Sequence, residues 1–241
     1  MESFSIRHLK QLSNNLITYP EKYSEKKTPL LDMNCFLQAV LNCDKTFLLA
    51  HDDYVLTQSE ALSVLQMCEK RKTGLPVAYI TGKKEFYNLY FHVTPDVLIP
   101  KPDTELLVEK AIEIITQKNF TFVADICTGS GCIALSILKN IEKKIFITAS
   151  DISNEALNIA KKKFINLLKK EEQKKINFIN ADLFLPLRKN ICFPDYFEII
   201  VSNPPYIPSE LTAQLLQDGR NEPRIALDGD INCDTQDGTG V

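Results

Sequence analysis

Apolar residues recur at helical spacing through the first third of the chain. Ile6, Leu9, Leu12 and Leu16 form one stripe, and Met33, Phe36, Leu37, Val40 and Leu41 form another behind a candidate N-cap at Asp32. A further helix begins at a capping box of Thr57 and Glu60, turns Ala61, Leu62, Leu65 and Cys68 inward, and stops near Thr73-Gly74 with Pro76 just beyond. Short amphipathic helices bury their stripes only against one another, so residues 1–75 are expected to form a small helical bundle. The pattern changes over 76–102, where Tyr79, Ile80, Phe86, Tyr87, Tyr90, Phe91 and Val93 supply aromatic and β-branched content and Gly82 and the Asn88 region are turn candidates; this stretch is expected to be a β-hairpin linker. Pro100 and Pro102 break the chain, and Asp103 is a candidate cap for a helix with Leu107, Ala111, Ile114 and Ile115 on one face.

From residue 120 onward short apolar runs alternate with helical patterns. Strands are expected over 121–126, 144–149, 176–181 and 198–202, with helices through Ile133, Ala134, Ile137 and Leu138 and through Ala156, Ala160, Phe164, Leu167 and Leu168. Repeated strand–helix units imply an α/β domain over 103–241, with a parallel sheet and helices on its faces. Ligands of such sheets bind beyond the carboxyl ends of the strands, and Asp125, Asp151, Asp182 and Asn203 all fall there.

Composition narrows the class. The 241 residues are 44% hydrophobic and 24% charged, with 28 basic against 31 acidic side chains and a formal charge of -3. That balance lacks a whole-chain basic field for gripping nucleic acid, and the lysine-rich stretch 161–175 reads as a solvated helix face. The seven cysteines include no CxxC pair, so zinc-ribbon and thioredoxin readings lack their spacing, and free thiols in a reducing compartment are expected, with no metal. No apolar run reaches the about 18 residues of a membrane helix and no leader pattern opens the chain, so a cytoplasmic protein is expected.

Two segments carry chemistry. Cys127-Thr128-Gly129-Ser130-Gly131 joins a strand to a helix, and its glycines allow backbone angles and close approaches that other residues resist. The spacing fits neither GxGxxG nor a P-loop, which disfavours a pyrophosphate cofactor. Asp151 suits a ribose diol, since a carboxylate accepts from both hydroxyls; the alternative is an N-cap for the next helix. Asp182 can meet an adenine amino group or serve as a simple turn residue, with Leu183 and Phe184 as an apolar wall. A ribose and an adenine without pyrophosphate point to S-adenosyl-L-methionine. The second segment is Ser202-Asn203-Pro204-Pro205-Tyr206: two prolines stiffen the strand end, the Asn203 side-chain oxygen and the Pro204 carbonyl can each accept an N–H from a planar amide, and Tyr206 can stack on it.

Asn203-Pro204-Pro205-Tyr206 resembles motif IV of the amino-methylating, S-adenosylmethionine-dependent methyltransferases. Pro76-Val77-Ala78-Tyr79-Ile80-Thr81-Gly82, Glu85-Phe86 and Leu98-Ile99-Pro100-Lys101-Pro102-Asp103-Thr104-Glu105 are similar to the linker of the HemK/PrmC branch, the protein-glutamine N5-methyltransferases of peptide-chain release factors. The resemblance implies a Rossmann-like class I methyltransferase sheet and a helical domain at 1–75 that recognises the protein substrate. It implies that Cys127, Thr128, Gly129, Ser130 and Gly131 hold the methionine part of the cofactor, Asp151 the ribose, and Leu183, the residue after Asp182, the adenine. Asn203, Pro204, Pro205 and Tyr206 would hold the glutamine, with Asn203, Pro204 and Tyr206 catalytic and Asn203 also near the cofactor. The partner would be a class I release factor met by a monomer, with no direct nucleic-acid contact and no membrane. Cys127 stands where the family usually has glycine and Lys101 where arginine is usual, which removes a planar fork. Glu222-Pro223 and Ala226-Leu227-Asp228-Gly229 resemble the region after motif IV, beyond which the family continues through more helix and strand; the sheet is therefore expected to be C-terminally incomplete at Val241 and the chain less stable and less active than a complete enzyme. A DNA adenine-N6 methyltransferase and a non-catalytic fragment of the fold are the competing readings.

Overall fold

The computed structural model describes residues 4–22, 26–183 and 197–230. The chain divides into two compact units, Met1–Gly82 with Ala213–Asn221, and Lys83–Thr212 with Glu222–Val241.

The first unit is helical. Ser5 caps α1 (Ile6–Gln11), which is followed by α2 (Ser13–Leu16), α3 (Pro29–Leu41) and α4 (Lys45–Ala50), the last capped by Asp44. α5 (Gln58–Lys72) opens on the expected capping box, in which Glu60 Oε2 accepts from the Thr57 amide at 2.7 Å. Ile6, Leu9, Met33, Phe36, Leu37, Val64 and Cys68 fill the core. Three expectations shift. Asp32 is not a cap: α3 starts a turn earlier with Pro29 in its first turn, where a missing N–H costs nothing, and Asp32 is buried against Arg71 at 2.6 Å. The inward face of α5 runs through Ala61, Val64, Cys68 and Arg71, leaving Leu62 56% exposed. Val77–Thr81 is the short helix α6 rather than part of a hairpin, and Gly82 ends it in the left-handed region. Residues 213–221 pack against the end of α5 so closely that a Cβ on Gly74 would run into the Asp218 carbonyl, and one on Gly219 into that of Thr73.

The second unit begins with a hairpin of β1 (Lys83–Phe86) and β2 (Leu89–His92). Its turn puts Tyr87 and Asn88 at φ of 49° and 59°, the left-handed pair that matches strand twist. Strands and helices then alternate: α7 (Thr104–Lys118), β3 (Phe122–Ile126), α8 (Cys132–Asn140), β4 (Phe146–Asp151), α9 (Asn154–Leu167), α10 (Lys170–Gln173), β5 (Ile176–Asn180), β6 (Ile199–Ser202) and α11 (Ser209–Leu215). Asp103 precedes α7 in a helical conformation and makes no side-chain cap bond, unlike the cap expected of it. The strands form one parallel sheet in the order β5-β4-β3-β6, the Rossmann-like arrangement expected. Val123, Ile133, Leu135, Ile137, Ile147 and Phe164 form its core. Because β4 and β6 flank β3 on opposite sides, the order reverses at β3, which opens a crevice at its carboxyl end. On α9, Lys161 and Lys162 are exposed while the Lys163 ammonium lies over the Phe91 ring at 5.7 Å. Among the described residues Cys35, Cys43, Cys68, Cys127 and Cys132 are free thiols; Cys192 and Cys233 lie outside them.

Candidate active site

Strand register brings the chemistry together. Ile126 sits opposite Ser150 on β4 and Ser202 on β6, so the residues after each strand tip emerge side by side. They line a cavity of about 320 Å³ within the second unit, within the about 300–1,000 Å³ typical of small-molecule sites. Cys127, Thr128, Gly129, Ser130, Asp151, Asp182, Leu183, Asn203, Pro204 and Pro205 all line it.

The turn after β3 is built by Asp125. This fully buried carboxylate accepts from the Thr128 hydroxyl at 2.6 Å and from the Ala134 amide at 3.1 Å, pinning the turn to the first turn of α8. Burial raises its pKa to about 7, against the lowering effect of those two bonds. The Thr128 amide donates to the Ser150 carbonyl at 2.9 Å, which ties the same turn to β4. Gly129, at φ 53°, has nothing within 4 Å of where a Cβ would stand and leaves main chain bare to the cavity. Gly131 does a different job: it does not line the cavity, and a Cβ there would press on the Phe164 ring at 2.9 Å. Cys127 holds φ 57° without being glycine, and burial raises its thiol to about 11, so it is a neutral, inert wall.

Asp151 Oδ2 accepts from the Gly129 amide at 2.8 Å and Oδ1 from the Ser153 amide at 2.9 Å. The helix cap proper is Ser153, whose hydroxyl accepts from Ala156. Each Asp151 oxygen keeps a lone pair for a ligand hydroxyl. Burial pushes the Asp151 pKa up, against the backbone bonds that stabilise its charge. Leu183, at φ 47°, and the exposed Ile152 border the cavity beyond it; Phe184 lies outside the described residues.

At the other side, Asn203 Nδ2 donates to Thr104 Oγ1 at 3.5 Å. Tyr206 is 66% exposed and does not line the cavity, so the described geometry stacks it on nothing inside. Two walls went unread in the sequence. One is Asp96, Val97, Leu98, Pro100 and Lys101 with Thr104; the other is Ile225, Ala226, Asp228 and Gly229. The second wall is bound in place by Ile207 amide-to-Leu227 carbonyl and Gly229 amide-to-Ile207 carbonyl bonds, both 2.9 Å, and by Ser209 donating to Asp228 at 2.7 Å. Lys101 pairs with the buried Glu222 at 2.7 Å, joining the two walls. Leu98–Glu105 and Ala226–Gly229 carry part of the family resemblance, but the distance between them along the chain gives no sign that they share a cavity.

Charge distinguishes the ligands that fit. Among the described residues the cavity is lined by Asp96, Asp151, Asp182 and Asp228, the last paired with Arg224, against one lining cation, Lys101, which Glu222 already engages. A polyphosphate would face an excess of carboxylates, whereas a nucleoside carrying positive charge is favoured. S-adenosylmethionine, with a ribose, an adenine and a sulfonium, fits that donor set.

Residues 22–82 match the family described as PrmC N-terminal domain, and residues 102–218 match the methyltransferase small domain. A release factor glutamine methyltransferase from Leptospira interrogans is 40% identical over 220 residues, covering 88% of this chain and 73% of that protein. Proteins of the same name from Clostridium acetobutylicum and Coxiella burnetii are each 40% identical, over 82% and 83% of this chain and 67% and 68% of their own lengths.

Proposed function

We propose that this chain, which belongs to the release factor glutamine methyltransferase family, transfers a methyl group from S-adenosyl-L-methionine to the side-chain amide nitrogen of the glutamine in the GGQ motif of peptide-chain release factors. One observation carries the reading: the Asn203-Pro204-Pro205 corner and the Gly129–Asp151 corner open into the same cavity, so acceptor and donor groups can be held against each other.

Asp151 would take the ribose hydroxyls, Ile152, Asp182 and Leu183 would border the adenine, and Cys127 to Ser130 would carry the methionine part along the bare Gly129 backbone. When bound, the cofactor supplies an electrophilic methyl group on a positively charged sulfur. The acceptor amide nitrogen is a weak nucleophile because its lone pair is delocalised into the carbonyl. Asn203 Oδ1 and the Pro204 carbonyl would accept its two N–H groups, fix the nitrogen's direction and stabilise positive charge as it develops there. The rigid proline pair keeps these acceptors from relaxing away. We assign no base; the surplus proton leaves to water. Tyr206, exposed at the rim, would meet the protein around the glutamine, and the helical unit at 1–82 would recognise the same partner. A monomer acting in the cytoplasm without nucleic-acid contact completes the reading, and no helix among the described residues is long and apolar enough to cross a membrane.

Incubation with labelled S-adenosylmethionine and either release factor or duplex DNA tests it. Label on the GGQ glutamine, lost when that residue is alanine, is expected. Label in DNA adenine would favour base methylation, and no label in either would make this a non-catalytic member of the fold.

A further inference from the structure

We propose that Thr104 is a positioning residue for the reaction, its hydroxyl holding the Asn203 amide at the angle from which that amide meets the acceptor nitrogen. The inference deepens the reading above and rests on it. Thr104 is the first residue of α7 and lines the cavity. Its Oγ1, 3.5 Å from Nδ2, is the one hydrogen-bond partner of the Asn203 side chain among the described residues. A terminal amide turns about a broad, two-fold torsion, so an asparagine held by nothing samples orientations that present N–H where an acceptor is needed. A hydroxyl that accepts from Nδ2 leaves Oδ1 turned to the substrate. The separation of 3.5 Å is long, and contacts of this kind often tighten only once substrate is bound.

The anchor itself is fixed on both sides. Glu105 Oε1 accepts from the Tyr87 amide at 2.9 Å, binding the start of α7 to the hairpin turn, and Lys101 reaches Glu222 at 2.7 Å. Three neighbouring side chains thus tie one short segment to the hairpin, the far wall and the acceptor asparagine. Lys101 and Glu105 hold the segment; Thr104 is the member that meets Asn203.

Thr104→Val keeps the shape and removes the hydroxyl, while Thr104→Ser keeps the hydroxyl. With the full chain and a release factor, Thr104→Val is expected to lower kcat about tenfold, as for one lost hydrogen bond in the transition state, and Thr104→Ser to stay within about threefold. Binding of S-adenosylhomocysteine should stay within about twofold in both, since Thr104 does not touch the Gly129–Asp151 corner. The Asn203 side-chain amide signals in nitrogen-15 spectra, identified by their loss in Asn203→Ala, should shift and broaden in Thr104→Val. Unchanged kcat with unchanged amide signals, or equal losses in the valine and serine variants, would overturn the proposal. Should the unsubstituted chain transfer no methyl group to release factor, the functional reading fails, and the amide signals alone then decide the role of Thr104: no change in Thr104→Val rejects it.

Discussion

The carboxylate of Asp151 accepts a hydrogen bond from the amide of Gly129 at 2.8 Å, which fastens the tip of β4 to the turn after β3. Asp151 also lines the cavity, so one side chain both shapes the turn and can offer acceptors to a ribose. Asp151→Asn replaces one acceptor with a donor, which then opposes either the Gly129 or the Ser153 amide. Affinity for S-adenosylhomocysteine is expected to fall about 10- to 100-fold, the scale for hydrogen bonds to a charged group. Calorimetric titration checks it, and an unaltered Kd would remove the ribose role.

Asn203 sits across the cavity from that corner, and its loss should separate binding from turnover. Asn203→Ala is expected to lower kcat by about 100-fold or more, the scale for removing one donor or acceptor aimed at developing charge. S-adenosylhomocysteine should still bind within about twofold. A parallel collapse of both would mean that Asn203 supports the fold of the crevice instead.

Cys127 occupies φ 57° at the first position of the turn. A side chain there crowds the following carbonyl at a cost of about 1 kcal/mol that glycine avoids, partly offset by the greater freedom glycine has when unfolded. Cys127→Gly is expected to raise the unfolding midpoint slightly and keep activity. Cys127→Val, β-branched at the same φ, should lower it. Urea unfolding of the two variants side by side gives the ordering, and the reverse order would show that the thiol's packing outweighs the backbone.

Local rules made part of this fold legible. The Thr57–Glu60 box and the alternation from residue 120 rest on neighbours a few positions apart and appear as the pattern puts them, except that β4, expected over 144–149, starts at Phe146 and runs on through Asp151. Other parts depend on distant partners. Val77–Thr81 has the β-branched, aromatic look of a strand, yet Val77 and Ile80 join the helical core and Tyr79 is buried, so packing overrides propensity. Asp32 looks like a cap because its partner, Arg71, lies 39 positions away. Gly131 reads as a cofactor glycine, but its φ of 78° and the Phe164 ring beside it already require glycine there. That the segments around Val97 and Ile225 wall one cavity was hidden for the same reason: nothing local to either announces the Lys101–Glu222 pair that joins them.

The Asp32 network is expected to carry much of the helical unit's stability. Its carboxylate meets Arg71 Nε at 2.6 Å, the Tyr19 hydroxyl at 3.0 Å and the Thr28 hydroxyl at 3.1 Å, and Arg71 reaches on to the Gly74 and Leu75 carbonyls at 3.2 and 3.0 Å. Burial and the adjoining carboxylate push the Tyr19 phenol up to about 12, so it stays a donor. Asp32→Ala leaves the guanidinium buried without its counter-charge and should cost about 3–5 kcal/mol. Far-ultraviolet melting of the variant reads this directly, and a loss below about 1 kcal/mol would place the network among weak, solvent-screened pairs.

Asp125 gives the chain a pH signature. Its Oδ1 has no partner among the described residues, and burial raises its pKa to about 7, beyond what the Thr128 and Ala134 bonds can restore. In the unfolded chain an aspartate titrates near about 4. Between these values the folded state keeps a proton that the unfolded state has released, so stability falls as pH rises. The contribution is fully present below about pH 4, is lost as pH climbs through about 7, and is constant above. Asp125→Asn keeps an oxygen for Thr128 and Ala134 but cannot ionise. Measured by urea unfolding between about pH 5 and 8, the stability of the unsubstituted chain relative to this variant should decline steadily as pH rises. A difference that stays level across that interval would mean the carboxyl is already ionised in the folded state, with water or a cation reaching Oδ1.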